Sequence, residues 1–201
     1  MTKIFCLGTY RREYIGNSLD LDWFEKTNEE GLQMRDVIAK KALNDLISFL
    51  KNKPGSIALF DGTNTNRNRR DWVYKYLKEK MENVTVNYIE SICDNEKMLD
   101  YNIQKSTVGL NDYFNIAKDD ALENFINRIK LYESHYETIC KDELEGNIRF
   151  LKIFNAGKSL EVHKMSGNIA SVSIQFLLNT RLDIGPIYII SPGYTEEQDE
   201  I

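Results

Sequence analysis

The 201 residues carry 26 Lys and Arg against 31 Asp and Glu, a formal net charge of −5, and 42% of them are hydrophobic. A chain this long buries about 70% of its unfolded surface, enough for one domain with a full core, and 9 Phe, 2 Trp and 11 Tyr against 3 Pro and 11 Gly exclude a disordered or collagen-like chain. No apolar run approaches the roughly 20 residues of a membrane span, net acidity argues against general nucleic-acid binding, and three scattered cysteines (Cys6, Cys93, Cys140) with His135 and His163 support neither a disulfide framework nor a zinc site.

Strand-like and helix-like segments alternate from the start. Ile4-Phe5-Cys6-Leu7 reads as a short buried strand, too brief for a signal peptide, so a reducing cytoplasm is the expected location. Gly8-Thr9-Tyr10-Arg11-Arg12-Glu13 follows. Two adjacent guanidiniums at a strand exit suit a phosphate, because Arg presents a rigid fork of donors; solvated surface charge is the plainer reading. Thr27 and Glu30 form a possible capping box, and Met34, Val37, Ile38, Ala42, Leu46, Phe49 and Leu50 then keep one apolar helical face until Pro54-Gly55.

Ser56-Ile57-Ala58-Leu59-Phe60 reads as a strand buried on both faces, with Asp61 at its carboxyl end. Behind it come Gly62-Thr63-Asn64-Thr65-Asn66-Arg67-Asn68-Arg69-Arg70. An apolar strand that delivers an acid to its tip is how nucleotide-dependent phosphotransferases place a carboxylate near Mg²⁺ or the attacking hydroxyl. Helix starts favour anions, so three arginines there make sense if an anionic ligand lies among them; the alternative is an Asn66 N-cap beside a solvated basic turn.

The next helix turns Trp72, Val73, Tyr76 and Leu77 inward, residues 84–89 are β-rich, and Ser91-Ile92-Cys93 follows. Helices are expected over 96–105 and 119–136, a strand over 149–154, a helix over about 162–178 and a last strand over 187–190. Pro186 marks a linker and 196–200 an acidic tail. Gly157-Lys158-Ser159 imitates the end of a phosphate-binding loop, but Lys152 stands where its first glycine belongs, so it is a decoy. Asn102 with Lys105, and Arg128 with Tyr132, can each share a helix face toward a ligand, although an exposed face or a packed Tyr would explain them equally well. The alternation implies parallel βαβ units and a three-layer α/β fold with a mainly parallel sheet, ligands binding beyond the strands' carboxyl ends.

Six ordered blocks carry a resemblance. They are Leu7-Gly8-Thr9-Tyr10-Arg11-Arg12-Glu13, Phe60-Asp61-Gly62-Thr63-Asn64-Thr65 with Arg67-x-Arg69-Arg70, Glu90-Ser91-Ile92-Cys93, Gly109-x-x-Asp112-Tyr113, Arg128-Ile129-x-x-Tyr132-Glu133 and Lys152-Ile153-Phe154-x-x-Gly157. Together they resemble the kinase domain of the 6-phosphofructo-2-kinase/fructose-2,6-bisphosphatase family. The resemblance implies a P-loop nucleoside-kinase-like fold, Mg-ATP as phosphate donor and fructose 6-phosphate as acceptor, giving fructose 2,6-bisphosphate. It implies that Arg11, Arg12, Thr63, Arg69, Arg128 and Tyr132 line the sugar-phosphate site. Asp61 then stands near the metal and the attacking hydroxyl, and Cys93 and Asn102 lie toward the nucleotide. The implied unit is a kinase-like domain over 1–185, with 186–201 the remnant start of a bisphosphatase domain and a tail.

Three departures shape the expectation. The family's first strand and glycine-rich loop precede the residue matching Lys3, so the phosphate cradle and first strand are expected to be missing. The family's ligand-binding lysine aligns with Thr107, with Lys105 two residues away. The Arg-His-Gly that opens the phosphatase appears as Ser191-Pro192-Gly193, so no phosphatase activity is expected. The expected protein is an impaired kinase, or a catalytically inactive sugar-phosphate binder, or an interaction module pairing with itself or with an intact relative.

Overall fold

The computed structural model describes residues 1–16, 21–25, 27–109, 111–113 and 116–179. The expected strand at 187–190, the linker at Pro186 and the whole of 186–201 lie outside the described residues. In chain order the elements are β1 (Thr2–Cys6), α1 (Leu7–Ile15), α2 (Glu29–Asn52), β2 (Ile57–Asp61), α3 (Arg67–Lys80), β3 (Tyr88–Ile92), α4 (Glu96–Gly109), α5 (Lys118–Glu133), β4 (Phe150–Phe154), β5 (Ser159–His163) and α6 (Asn168–Asn179). Short 3₁₀ turns occupy Asp22–Phe24, Asn111–Tyr113 and Asn155–Gly157.

The α/β class and the parallel preference hold, but the described strands form two sheets rather than one. β1 and β2 pair in parallel, with Phe5 opposite Phe60 and Cys6 opposite Asp61. In the second sheet β3 and β4 are parallel, while β5 returns antiparallel to β4. Helices α2 and α3 cover one face of the first sheet, where Phe5, Leu43, Leu46, Ile47, Val73 and Leu77 form a core. Its other face is bare among the described residues: Ile4 is 61% and Leu59 42% exposed. The strand expected to be buried on both faces is therefore half-buried on one and, among the described residues, open on the other.

Ile139, Ile148 and Phe150 make a second core. On the second sheet Glu90 and Lys152 are register partners whose side chains pair at 3.4 Å. Glu90 also accepts from Tyr136 Oη and the Ile139 amide, which satisfies a buried carboxylate.

Several boundaries differ from the sequence reading for local reasons. β1 ends at Cys6 and Leu7 opens α1, so the two adjacent arginines lie on a helix and not in a strand-exit loop. The N-cap of α2 is Asn28, whose Oδ1 accepts from the Gly31 amide at 2.7 Å; Thr27 instead donates to Glu25, so the Thr27 capping box does not form. The helix expected over 162–178 is a strand and then a helix. Ser159 to His163 fit the two-residue strand period, and positive φ at Lys164 (52°) and Gly167 (92°) separates them from α6. Gly157-Lys158 lies in the turn between two strands and Ser159 opens β5, so no helix N-terminus stands behind the segment, as expected of a decoy.

Candidate sugar-phosphate site

Because α1 starts directly after β1, and Cys6 lies opposite Asp61, the arginine-bearing helix and the acid leave the same end of one sheet. Their junction is tight: a Cβ on Gly62 would come within 2.4 Å of Leu7 Cδ1. Asp61 itself is exposed, and so is Thr63. The loop bends through Asn64 at φ 35° and is tied down by Arg70, whose Nη1 donates to the Asn64 carbonyl at 3.2 Å.

Three guanidiniums converge on one carboxylate. Arg11 from α1 reaches Asp112 Oδ2 at 2.5 Å, Arg128 from α5 reaches the same oxygen at 3.3 Å, and Arg12 reaches Oδ1 at 3.5 Å. Asp112 is buried, and burial alone would raise its pKa. Arg11 first, then Arg128 and Arg12, outweigh that and hold it below the usual carboxylate value. Among the described residues the three guanidiniums share this one carboxylate, and Arg12 also donates to Thr9 Oγ1 at 3.2 Å.

Beneath this cluster lies Phe24. The Arg128 guanidinium carbon is 4.5 Å and that of Arg11 5.6 Å from the ring centroid, and Tyr132 packs against the same ring at 6.0 Å. Arg35 on α2 donates to the carbonyls of Trp23 and Glu25, fixing the turn that carries Phe24.

The arginines at the start of α3 are distributed differently from the sequence reading. Asn66 is the N-cap, accepting from the Arg69 amide at 2.8 Å. Each arginine has an acid partner: Arg67 with Asp142, Arg69 with Asp36, and Arg70 with the buried Glu143. Arg70 and Arg67 therefore brace the fold and need no ligand to balance them. Arg69 rests over Trp72 at 4.5 Å, and its pKa is lowered by burial despite Asp36. The positive charge of Arg35 lowers it further.

Arg11, Arg12, Arg128 and Tyr132 are thus brought together, with Arg69 on the flank and Asp61 and Thr63 at the neighbouring strand end. Cys93 follows β3 of the second sheet, half-buried, its thiol 3.9 Å from the Asn95 carbonyl, and Asn102 is exposed on α4, which packs on α5 and the Asn111–Tyr113 turn. Thr107 is buried and its hydroxyl donates to the Ile103 and Gln104 carbonyls of its own helix. Lys105 is exposed beside the Tyr101 ring. Among the described residues no cluster of three His, Cys, Asp or Glu could hold a metal ion.

Two participants escaped the sequence reading. Asp112 sits in one of the quoted blocks, yet its role depends on partners about a hundred residues away. Arg35 left a readable signal: with Gly31, Ala39 and Ala42 it falls on the buried stripe of α2, where an arginine needs a reason.

The family model for 6-phosphofructo-2-kinase matches residues 1–183. The chain is 34% identical over 195 residues to 6-phosphofructo-2-kinase/fructose-2,6-bisphosphatase 1 of Bos taurus and, to the same degree, to that of Homo sapiens. It is 30% identical to the Gallus gallus 6-phosphofructo-2-kinase/fructose-2,6-bisphosphatase. Each match covers 97% of this chain and 41% of the relative, so the chain spans about two-fifths of the length of these curated relatives. With the family model matched over residues 1–183 and 34% identity over 97% of its length, the chain belongs to the 6-phosphofructo-2-kinase family.

Proposed function

We propose that this chain binds fructose 6-phosphate and carries the sugar-phosphate half of a 6-phosphofructo-2-kinase. The observation that supports this most is the convergence of three guanidiniums, from α1 and α5, on Asp112. A phosphate dianion is an acceptor that several such forks can bind at once. In this reading Arg11, Arg12, Arg128 and Arg69 hold the 6-phosphate and the sugar, with Thr63 and Tyr132 donating to its oxygens. Asp61 is the carboxylate beside the hydroxyl that attacks the γ-phosphate. Arg35 joins the set as a residue that orders its floor.

The cofactor of this reaction is Mg-ATP, which supplies the transferred phosphoryl group. Magnesium keeps most of its waters and takes one or two carboxylates plus phosphate oxygens, so Asp61 suits one such position, and Cys93 and Asn102 mark the nucleotide side. The fold that accompanies the reading is P-loop nucleoside-kinase-like, within one domain over 1–185 followed by a remnant over 186–201. Gly157-Lys158-Ser159 takes no part in this reading, because the segment leads into a strand and not into a helix N-terminus.

A second reading, a sugar-phosphate binder without catalysis, is favoured by Thr107. At the position that the resemblance gives to a ligand-binding lysine, its hydroxyl is committed to helix carbonyls. Titration calorimetry of the chain with fructose 6-phosphate, alone and with MgATP, separates the two. A response to both ligands supports a kinase, and a response to the sugar phosphate alone supports the binder. No response to either removes the site assignment and leaves an interaction module, as a homodimer or beside an intact relative. Arg69→Ala is expected to weaken sugar-phosphate binding by about 1.5–3 kcal/mol, the scale of a hydrogen bond between charged groups; unchanged affinity would take Arg69 out of the site.

A further inference from the structure

We infer that Phe24 is a positioning residue of this site: its ring is the floor on which the guanidiniums of Arg11 and Arg128, from two different helices, are laid in a common orientation toward a phosphate. The inference rests on the sugar-phosphate reading and adds to it a residue that touches no ligand. Arg11, Arg128 and Tyr132 all meet the ring of Phe24, at 5.6, 4.5 and 6.0 Å. The ring is buried. Its face carries the negative part of the aromatic quadrupole, and a cation above a desolvated face is held more strongly than one in water.

The turn beneath is built to stay still. Arg35 donates to the carbonyls on both sides of Phe24, those of Trp23 and Glu25. Asn28, while capping α2, also donates to Asp22 at 2.6 Å, and the Phe24 amide donates to Leu21 at 2.8 Å. A turn of three residues is thus fixed to α2 by two side chains. Each of the two arginines thus has two anchors, Asp112 as acceptor and the Phe24 ring within 5.6 Å of its guanidinium carbon. Little side-chain freedom is then left to lose when an anion arrives, and a preorganised donor pair binds more tightly than a mobile one.

The test is calorimetric titration of the 201-residue chain with fructose 6-phosphate for the wild type, Phe24→Trp, Phe24→Leu and Phe24→pentafluorophenylalanine. The fluorinated ring keeps the shape and the burial but reverses the charge of the face, so a purely structural role for Phe24 would leave its affinity intact. Binding is expected to weaken roughly tenfold with Phe24→pentafluorophenylalanine and with Phe24→Leu, the order of one or two cation–π contacts. Phe24→Trp should retain it. Wild-type affinity in the fluorinated chain, with the same melting temperature, would overturn the inference and leave the sugar-phosphate site standing. No binding by the wild type would overturn the site reading and this inference together.

Discussion

Arg70 and Arg128 each donate to a carboxylate whose side chain is 2% exposed or less, yet on opposite terms. Arg70 and Glu143 match one to one: Nε and Nη2 meet the two carboxylate oxygens at 2.8 and 2.7 Å, and the third nitrogen serves the Asn64 carbonyl. Each nitrogen of that guanidinium has an acceptor. Arg128 shares Asp112 with Arg11 and Arg12, so one acid is divided among three bases. The side chains of Arg12 and Arg128 are about a fifth exposed, while that of Arg70 is 3% exposed. A closed pair builds structure; an acid shared by several guanidiniums gathers cations from different helices at one place. Counting arginines near a strand end therefore does not single out a candidate site, whereas asking which arginines share a carboxylate does.

The sharpest way to break the comparison is Glu143→Ala. Removing one partner of a buried ion pair leaves an uncompensated charge, so the expected loss is about 3–5 kcal/mol, near 10 °C in melting temperature for a domain of this size. A calorimetric melt within 2 °C of wild type would show that Arg70 is not held by that pairing.

Asp112→Asn sharpens the other side. It should cost about 1–3 kcal/mol of stability without ligand, while the thermal shift produced by fructose 6-phosphate grows, because the phosphate no longer competes with a resident anion. The same variant has a pH signature. The folded pKa of Asp112 is depressed, so its contribution is present above the ordinary carboxylate value near 4 and is lost as pH falls through the lower, folded value. Denaturant melts from about pH 5 to pH 2 should therefore fall less steeply for Asp112→Asn than for wild type, and parallel curves would contradict the assigned cause. Glu143 shifts in the same direction, with burial opposed by Arg70, so both buried acids add to acid sensitivity.

The smallest effect is expected at Asp36. Its pair with Arg69 is exposed on the acid side, and exposed pairs contribute little. Asp36→Ala should change stability by under about 0.5 kcal/mol in urea and should not weaken sugar-phosphate binding, because it releases Arg69. A marked loss of binding would mean that Asp36 orients Arg69 instead of occupying it.

Much of the fold was legible in local patterns. The stripe from Ile38 to Leu46 on α2, the stop at Pro54-Gly55, the apolar run of β2 and the cap at Asn66 all follow from spacing and side-chain chemistry. β5 was missed because Leu160 and Val162, followed closely by the apolar α6, mimic a helical face; only the left-handed residues at 164 and 167 divide them. The division into two sheets could not be read, since strand neighbours are long-range facts. At the site, Arg11, Arg12, Arg128 and Tyr132 came from ordered blocks. Their common partners, Asp112 and Phe24, depend on which helices meet. Arg67 and Arg70 show the reverse error: a basic cluster read as a ligand signal is largely answered by Asp142 and Glu143 from a distant segment.

Among the described residues the side of β1 and β2 that carries Ile4 and Leu59 is uncovered, and on α6 Ile169, Val172 and Phe176 are more than half exposed. Apolar patches left open in this way favour association without any unfolding. A dye that fluoresces on apolar surface should brighten in plain buffer at room temperature, and turbidity should climb with concentration and with added ammonium sulfate, which strengthens contacts of this kind.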